Sequence, residues 1–252
     1  MKQSRLNQEV KLWRRRVIVS RFKFVLIVSM LLFSCGFSNI VFSGTISGSV
    51  KFTGTVPPPE KISMNADPAC SAAHAEPVFE ESVAVDSTGG LQNVFVYVAK
   101  GLEGKSFAAP SEPVVIDQKG CHYHPHVLGL QVGQALQIVN SDNTLHNVHS
   151  LASKSKSFNL GMPLQGMTIK KKFDAAEVMV KFKCDVHPWM NAYIGVLTHP
   201  YFSVSGPGGT FELKDLPDGE YTVEAWHEKF GTQSANVTVT DGEATHLEFT
   251  FV

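Results

Sequence analysis

The stretch that most constrains the fold is an alternating run of residues that leads into a short loop rich in metal-binding side chains. Apolar residues occupy alternate positions from Val178 to Cys184, and lysines separate the last three of them. This period of two predicts a strand with its apolar side chains on one buried face. The pattern therefore places the Cys184 thiol on the inward face, at the end of a buried strand.

Donor atoms recur at intervals of three positions in the loop, residues 184–190, which reads CDVHPWM. Cys184 offers a thiolate, His187 an imidazole and Met190 a thioether. A thiolate, two imidazoles and a weak axial thioether form the donor set of mononuclear electron-transfer copper sites. The missing imidazole is available at His146, after the polar run at residues 140–144. The sequence therefore predicts one type 1 copper site made of His146, Cys184, His187 and Met190.

Each of these donors also has a simpler explanation when it is taken alone. A cysteine that ends an apolar strand is commonly a small core residue, and a methionine beside a tryptophan is commonly a packing residue. As a spaced set they favour copper. Zinc is the weaker metal alternative because structural zinc sites rarely include methionine, and a binuclear copper centre would need a second cysteine in the loop.

The first 43 residues resemble an export signal. A basic region with eight Lys and Arg in residues 1–23 precedes an apolar run at residues 24–33, and small residues follow. This order predicts a secretory signal cleaved before Gly44 and a periplasmic or otherwise exported protein. A lipoprotein anchored at Cys35 and an uncleaved anchor at residues 24–42 are the alternatives, and they are the only membrane contacts that we expect.

Charge narrows the choice of partners. Residues 44–252 contain 14 Lys, no Arg and 22 Asp plus Glu, which gives a net charge of −8. Such a chain is a poor ligand for nucleic acid, and redox partner proteins are the expected partners. Three cysteines remain after removal of the signal. With Cys184 as a metal ligand, Cys70 and Cys121 are predicted to form a disulfide in an oxidising compartment.

The remaining sequence is typical of strands and turns. Residues 45–52 alternate between apolar and polar, and residues 93–98, NVFVYV, are β-branched and aromatic. Shorter strands are indicated at residues 114–116 and 135–140. No long stretch has helical periodicity, so we predict an all-β fold of sandwiches.

Residues 114–197, about a third of the chain, resemble a small cupredoxin of the amicyanin and plastocyanin kind. The resemblance includes YHPH at residues 123–126, the run from Asn140 to His149, and the two-residue gaps on either side of His187. It implies a Greek-key sandwich with one copper ion, electron transfer and no enzymatic activity. It also implies that Asn147 tethers the ligand loops, and that the His187 edge is exposed beside an apolar docking surface formed by Pro188 and Trp189.

A histidine-rich segment, CHYHPH at residues 121–126, precedes these ligands. His122, His124 and His126 would share one face of a regular strand and, with Cys121, suggest a possible second metal site. Pro125 instead favours a bend. The simpler interpretation is surface histidines beside a disulfide cysteine.

Residues 208–223, GGTFELKDLPDGEYTV, resemble the C-terminal half of a carboxypeptidase regulatory-like, transthyretin-type sandwich. Tyr221 has the setting of a tyrosine corner, and matching first-half strands are indicated at residues 44–50 and 91–96. We therefore expect a signal at residues 1–43, a cupredoxin domain at residues 111–197, and a discontinuous second sandwich at residues 44–110 and 198–252 that the cupredoxin domain interrupts or adjoins.

Two functions fit this sequence. The first is a periplasmic type 1 copper protein that transfers electrons by Cu(I)/Cu(II) cycling. The alternative is a copper-binding carrier or accessory protein that stores or delivers the ion. A copper enzyme such as a nitrite reductase would need a second set of copper ligands, which the sequence does not show.

Overall fold

Strands dominate the part of the chain that the computed structural model describes, residues 43–240 and 242–252. The prediction of an all-β sandwich fold is confirmed. The predicted export signal and its Cys35 alternative lie outside the described residues, except for Ser43, which begins the first strand. None of the helices within the described ranges has the length and apolar character needed to cross a bilayer.

Two sheets are built from residues 114–197. Their strands are β3 (Val114–Lys119), β4 (His122–His124), β5 (Val127–Gln131), β6 (Leu136–Asn140), β7 (His146–Ser150), β8 (Phe158–Met162), β9 (Thr168–Lys171), β10 (Glu177–Lys183) and β11 (Asn191–Leu197). One sheet has the order β5-β11-β10-β7-β8 and the other the order β4-β3-β6-β9. The sheets enclose a core that includes Ile138, Phe173 and Phe182.

Two further sheets combine strands from both ends of the described chain. Their strands are β1 (Ser43–Phe52), β2 (Phe95–Lys100), β12 (Phe202–Val204), β13 (Thr210–Pro217), β14 (Gly219–His227), β15 (Gly231–Val239) and β16 (Ala244–Phe251). The sheet orders are β13-β1-β16 and β12-β2-β14-β15. The Tyr221 hydroxyl donates to the Pro217 carbonyl at 2.6 Å, as a tyrosine corner requires. The relation of these sheets to a regulatory-like domain stays a prediction.

The connection from β1 to β2 packs against the first pair of sheets. Its Ile62, Met64 and Cys70 lie in the core around Phe182, although the sequence assigns them to the segment 44–110 with the second sandwich. A helix that the sequence analysis did not predict, α1 (Pro68–Ala72), begins after the N-cap Asp67, whose carboxylate accepts from two backbone amides of the first turn. This connection covers the end of the first sandwich where the predicted ligands lie.

β2 is buried on both faces and joins the two pairs of sheets. Val96 and Val98 face the second core, whereas Phe95 packs with β5 and β11. A Cβ atom added at Gly195 would lie 2.2 Å from the Phe95 ring, and one at Gly129 would lie 2.8 Å from it. The two glycines therefore leave the room that this aromatic ring needs.

The predicted alternation of buried and exposed side chains along β10 holds only in the second half of the strand. Val180, Phe182 and Cys184 are buried in the first core. Val178 instead packs at the junction around Phe95 and Tyr97, because the register with β11 shifts between Glu177 and Val180. The shift turns Val178 away from the buried face that a regular period of two predicts for it.

A fragment that ends at Leu197 is expected to aggregate. It keeps β1 and β2 but lacks β13 and β16, which flank β1, and β12 and β14, which flank β2. Two apolar strands would then present open edges, which promote intermolecular pairing. Size-exclusion chromatography of residues 44–197 beside residues 44–252 tests this. A monomeric 44–197 fragment that unfolds cooperatively would contradict it.

Candidate metal centre

The four predicted ligands come from two adjacent strands and one loop. His146 begins β7, and Cys184 follows β10, which pairs with β7 in the five-stranded sheet. His187 and Met190 lie in the loop from β10 to β11. All four residues are buried, with at most 2% of their surface exposed.

Backbone hydrogen bonds fold the loop back on itself. The Cys184 amide donates to the Met190 carbonyl at 3.1 Å, and the Met190 amide donates to the His187 carbonyl at 2.9 Å. The His187 amide donates to the Cys184 sulfur at 3.4 Å. These bonds hold the thiol and imidazole together without help from a metal.

The donor atoms of three of these residues converge. The Nδ1 atoms of His146 and His187 are 2.9 Å apart, and Cys184 Sγ lies 3.8 Å from His187 Nδ1. The nitrogen and sulfur donors of this trio all lie within 4.8 Å of one another. Met190 is fully buried in the same core and is tied to the trio through the backbone. Two imidazole nitrogens, a thiol sulfur and a thioether sulfur are donor types that fit copper in either oxidation state.

Two aspartates that the sequence analysis missed hold the outer nitrogens of the imidazoles. Asp142 Oδ2 lies 2.9 Å from His146 Nε2, and Asp67 Oδ2 lies 3.0 Å from His187 Nε2. Both histidines therefore present Nδ1 to the centre. Two sequence signals point to these residues. Asp67 precedes a proline in an N-cap pattern, and Asp142 lies four positions before His146.

Electrostatics favour the thiolate at Cys184. Burial raises the pKa of this thiol, but hydrogen bonds from His146 and from the Asn147 and His187 amides outweigh burial and lower it. Burial lowers the pKa of His146, but hydrogen bonds with Asp142 and Cys184 prevail and raise it to about 9. For His187, burial prevails over the opposing effect of Asp67, and its pKa is lowered. The surroundings thus lower the pKa of the Cys184 thiol and of His187 and raise that of His146.

Asn147 links the two ligand segments as the resemblance implies. Its Oδ1 accepts from the Asp185 amide at 2.6 Å, and its Nδ2 donates to Asn159 Oδ1 at 2.6 Å. Its backbone amide also contributes to the lowered pKa of Cys184. The residue therefore fixes the start of the 184–190 loop against β7 and β8.

The predicted Cys70–Cys121 disulfide is confirmed, with 5.6 Å between the Cα atoms. Cys70 Sγ lies 3.5 Å from His187 Nε2. Trp189 packs on the His187 ring with centroids 5.1 Å apart and donates from Nε1 to the Cys121 carbonyl at 3.0 Å. Two other clusters of potential metal ligands include these disulfide sulfurs, which are not thiolates and so are poor ligands.

The expected exposed edge of His187 is wrong. Its side chain is only 3% exposed, because Asp67, Cys70 and Trp189 cover it. Of the expected docking residues, Pro188 is exposed and Trp189 is half-buried. Asp67 and Cys70 belong to the connection between β1 and β2, which lies outside the segment that resembles a cupredoxin.

The histidine-rich segment does not form one cluster. His122 Nδ1 lies 3.0 Å from the Gly120 carbonyl, and the His122 and His124 rings are 6.0 Å apart. His126 turns away and pairs with Glu228 at 2.5 Å. None of the three histidines belongs to a group of close potential metal ligands within the described ranges. The bend expected at Pro125 separates β4 from β5.

Comparison with solved structures found partial matches. A copper-containing nitrite reductase from Thermus scotoductus is 21% identical over 40% of this chain and 26% of its own, with a TM-score of 0.33. A purple cupredoxin from Nitrosopumilus maritimus is 25% identical over 33% of this chain and 98% of its own, with a TM-score of 0.28.

An amicyanin variant in its Cu(I) form is 21% identical over 40% of this chain and 97% of its own, with a TM-score of 0.30. This chain therefore spans about a quarter of the nitrite reductase, 26%, and nearly the full length of the two small proteins. A scan against protein-family models and a search of curated proteins found no match.

Proposed function

We propose that the protein is an electron carrier that holds one copper ion at His146, Cys184, His187 and Met190 and performs no chemistry on a substrate. One observation carries the proposal. The Cys184 sulfur and two imidazole Nδ1 atoms converge in a buried site, with a buried thioether on the same loop. When bound, the copper supplies a one-electron couple between Cu(I) and Cu(II).

The protein's own residues would keep the geometry the same in both oxidation states. His146 and Cys184 are anchored at the ends of paired strands, and the bonds among Cys184, His187 and Met190 close the loop. Exclusion of water from these side chains limits solvent rearrangement during transfer. A rigid, dry site suits electron transfer because little has to move when the charge changes.

The alternative of copper delivery fits the structure less well. Transfer of an ion between carriers needs a ligand that the partner can reach, whereas His187 is covered by Asp67 and Cys70. We therefore place electron transfer first. The proposed location outside the cytoplasm is supported by the Cys70–Cys121 disulfide and by the basic and apolar N-terminal sequence. The proposed partners are redox proteins.

Loading the purified protein with Cu(II) is expected to produce an intense thiolate-to-copper charge-transfer band in the visible spectrum. We also expect one copper per chain and a reversible one-electron wave. Visible and EPR spectra with metal analysis and voltammetry test these expectations. Stoichiometric copper without the charge-transfer band or redox wave would instead support storage or delivery.

A further inference from the structure

We propose that Asp67 and Asp142 are positioning residues that fix both imidazoles and bias the centre toward Cu(II), and that the Cys70–Cys121 disulfide holds this pair of carboxylates in place. The inference rests on the proposed copper function. The two carboxylates act on the ligands from outside the 184–190 loop. One of them, Asp67, also lies outside residues 111–197.

Each carboxylate contacts the outer nitrogen of one ligand imidazole. Asp142 Oδ2 accepts from His146 Nε2 at 2.9 Å, and Asp67 Oδ2 accepts from His187 Nε2 at 3.0 Å. A carboxylate on the outer N–H of a ligating imidazole fixes its tautomer and raises its basicity. The two negative charges also attract the doubly charged ion more strongly than the singly charged one. Both effects lower the reduction potential.

Each carboxylate is itself held by hydrogen bonds from neighbouring groups. Asp142 accepts from the amides of Gly120 and Cys121 at 2.7 and 2.8 Å. Asp67 accepts from the Cys70 amide at 3.3 Å and from the Thr144 hydroxyl at 2.8 Å. Each carboxylate thus binds the backbone amide of one disulfide cysteine. The disulfide joins the two carboxylate anchors covalently.

The two carboxylates come from distant segments of the chain. Asp67 and Cys70 come from the connection between β1 and β2, whereas Asp142 precedes β7. His187 and its Asp67 partner are 120 positions apart. The disulfide is therefore well placed to keep Asp67 against the imidazole, since α1 is only one turn long.

Asp67→Asn and Asp142→Asn test the carboxylates. We expect Cu(II) affinity to fall about 10- to 100-fold in each variant. Cu(I) affinity should fall less, and the potential should rise by about 59 mV for each tenfold difference between the two losses. Unchanged affinities and potentials in both variants would overturn the inference.

Glu81→Gln is the matched control. It removes one carboxylate charge from an exposed side chain that lines a surface cavity with Trp189 and His122, but Glu81 makes no hydrogen bond to His146 or His187. We expect the ratio of Cu(II) to Cu(I) affinity to stay near that of the wild type. An equal shift in Glu81→Gln would show a general charge effect and would overturn the positioning role.

The disulfide is tested by the double variant Cys70→Ser and Cys121→Ser. With folding verified by circular dichroism, its potential should shift in the same direction as that of Asp67→Asn, and an unchanged potential would overturn the anchoring role.

If the double variant does not fold, Thr144→Val decides whether anchoring of Asp67 matters, because it loosens Asp67 with the disulfide intact. A smaller upward shift supports anchoring, and no shift overturns it.

Nitrogen NMR gives a readout that does not depend on copper. Long-range ¹⁵N–¹H correlations should show a proton on Nε2 of His146 and His187, both in the metal-free protein and with Cu(I). An unprotonated Nε2 on either ring would overturn the carboxylate pairing. Failure of the wild type to bind or cycle copper would contradict the proposed function instead, while the Nε2 protons would still report on the aspartates.

Discussion

Replacing Cys184 with serine is expected to abolish the visible charge-transfer band and the tight binding of Cu(II). The band requires a sulfur ligand, and the serine hydroxyl is not deprotonated at neutral pH. Burial raises the pKa of the Cys184 thiol, but hydrogen bonds from His146 and from the amides of Asn147 and His187 outweigh burial and lower it. The site therefore favours a negatively charged sulfur over a neutral hydroxyl. Metal analysis after dialysis, with visible and EPR spectra, measures the loss.

Met190→Leu is the comparison for this experiment. It keeps the apolar volume of a fully buried side chain and removes only a donor that binds long and weakly in such sites. The charge-transfer band should therefore survive with a changed energy. Stoichiometric copper with an unchanged spectrum in Cys184→Ser would remove Cys184 from the centre.

Replacing Glu228 with alanine is expected to destabilise the protein by about 1–3 kcal/mol, the usual cost of leaving a buried polar group without its hydrogen-bond partner. Glu228 pairs with His126 at 2.5 Å, and their side chains are 9% and 8% exposed. It also accepts a hydrogen bond from Tyr193. His126 lies just before β5 and Glu228 just after β14, so the pair joins the two sandwiches. Denaturant unfolding measures the change.

The control for this substitution is Glu220→Ala, which removes an exposed carboxylate from β14, the strand that Glu228 follows. A substitution of this kind usually changes stability by no more than about 0.5 kcal/mol. Equal unfolding free energies for Glu228→Ala and Glu220→Ala would show that the buried pair contributes nothing measurable.

The effect of Glu228→Ala should also depend on pH. Burial raises the pKa of Glu228, but the hydrogen bond with His126 outweighs burial and leaves the pKa below the ordinary value of 4.5. A carboxyl with a lowered pKa stabilises the fold fully above its unfolded pKa, and this contribution is lost as the pH falls through the folded pKa. The difference between wild type and variant should therefore be full at neutral pH and shrink below about pH 4.5.

The closeness of the Cys184 and His187 donor atoms could be predicted because the information for it is local. The period that buries Cys184 and the spacing to His187 and Met190 are properties of one short stretch. The Cys70–Cys121 pair followed from the number of cysteines. The all-β class followed from alternating strands, and a helix of one turn, α1, does not alter it.

The surroundings of the centre could not be predicted in the same way. Asp67 meets His187 only because a connection between distant strands packs across the end of a sheet. The exposed His187 edge was wrong for the same reason, since the resemblance covered the ligands and not that connection. Val178 departs from its period because a register shift depends on the partner strand.

The pairing of β1 has a consequence for the order of folding during synthesis. Its neighbours are β13 and β16, and the contact between Ser49 and Glu248 spans 199 positions. At about 5–20 residues per second, a ribosome needs roughly 10–40 s to make that interval. The nine strands from β3 to β11 are complete well before then. Among the described strands, the first to be made, β1, therefore cannot complete its sheet until the last, β16, has been made.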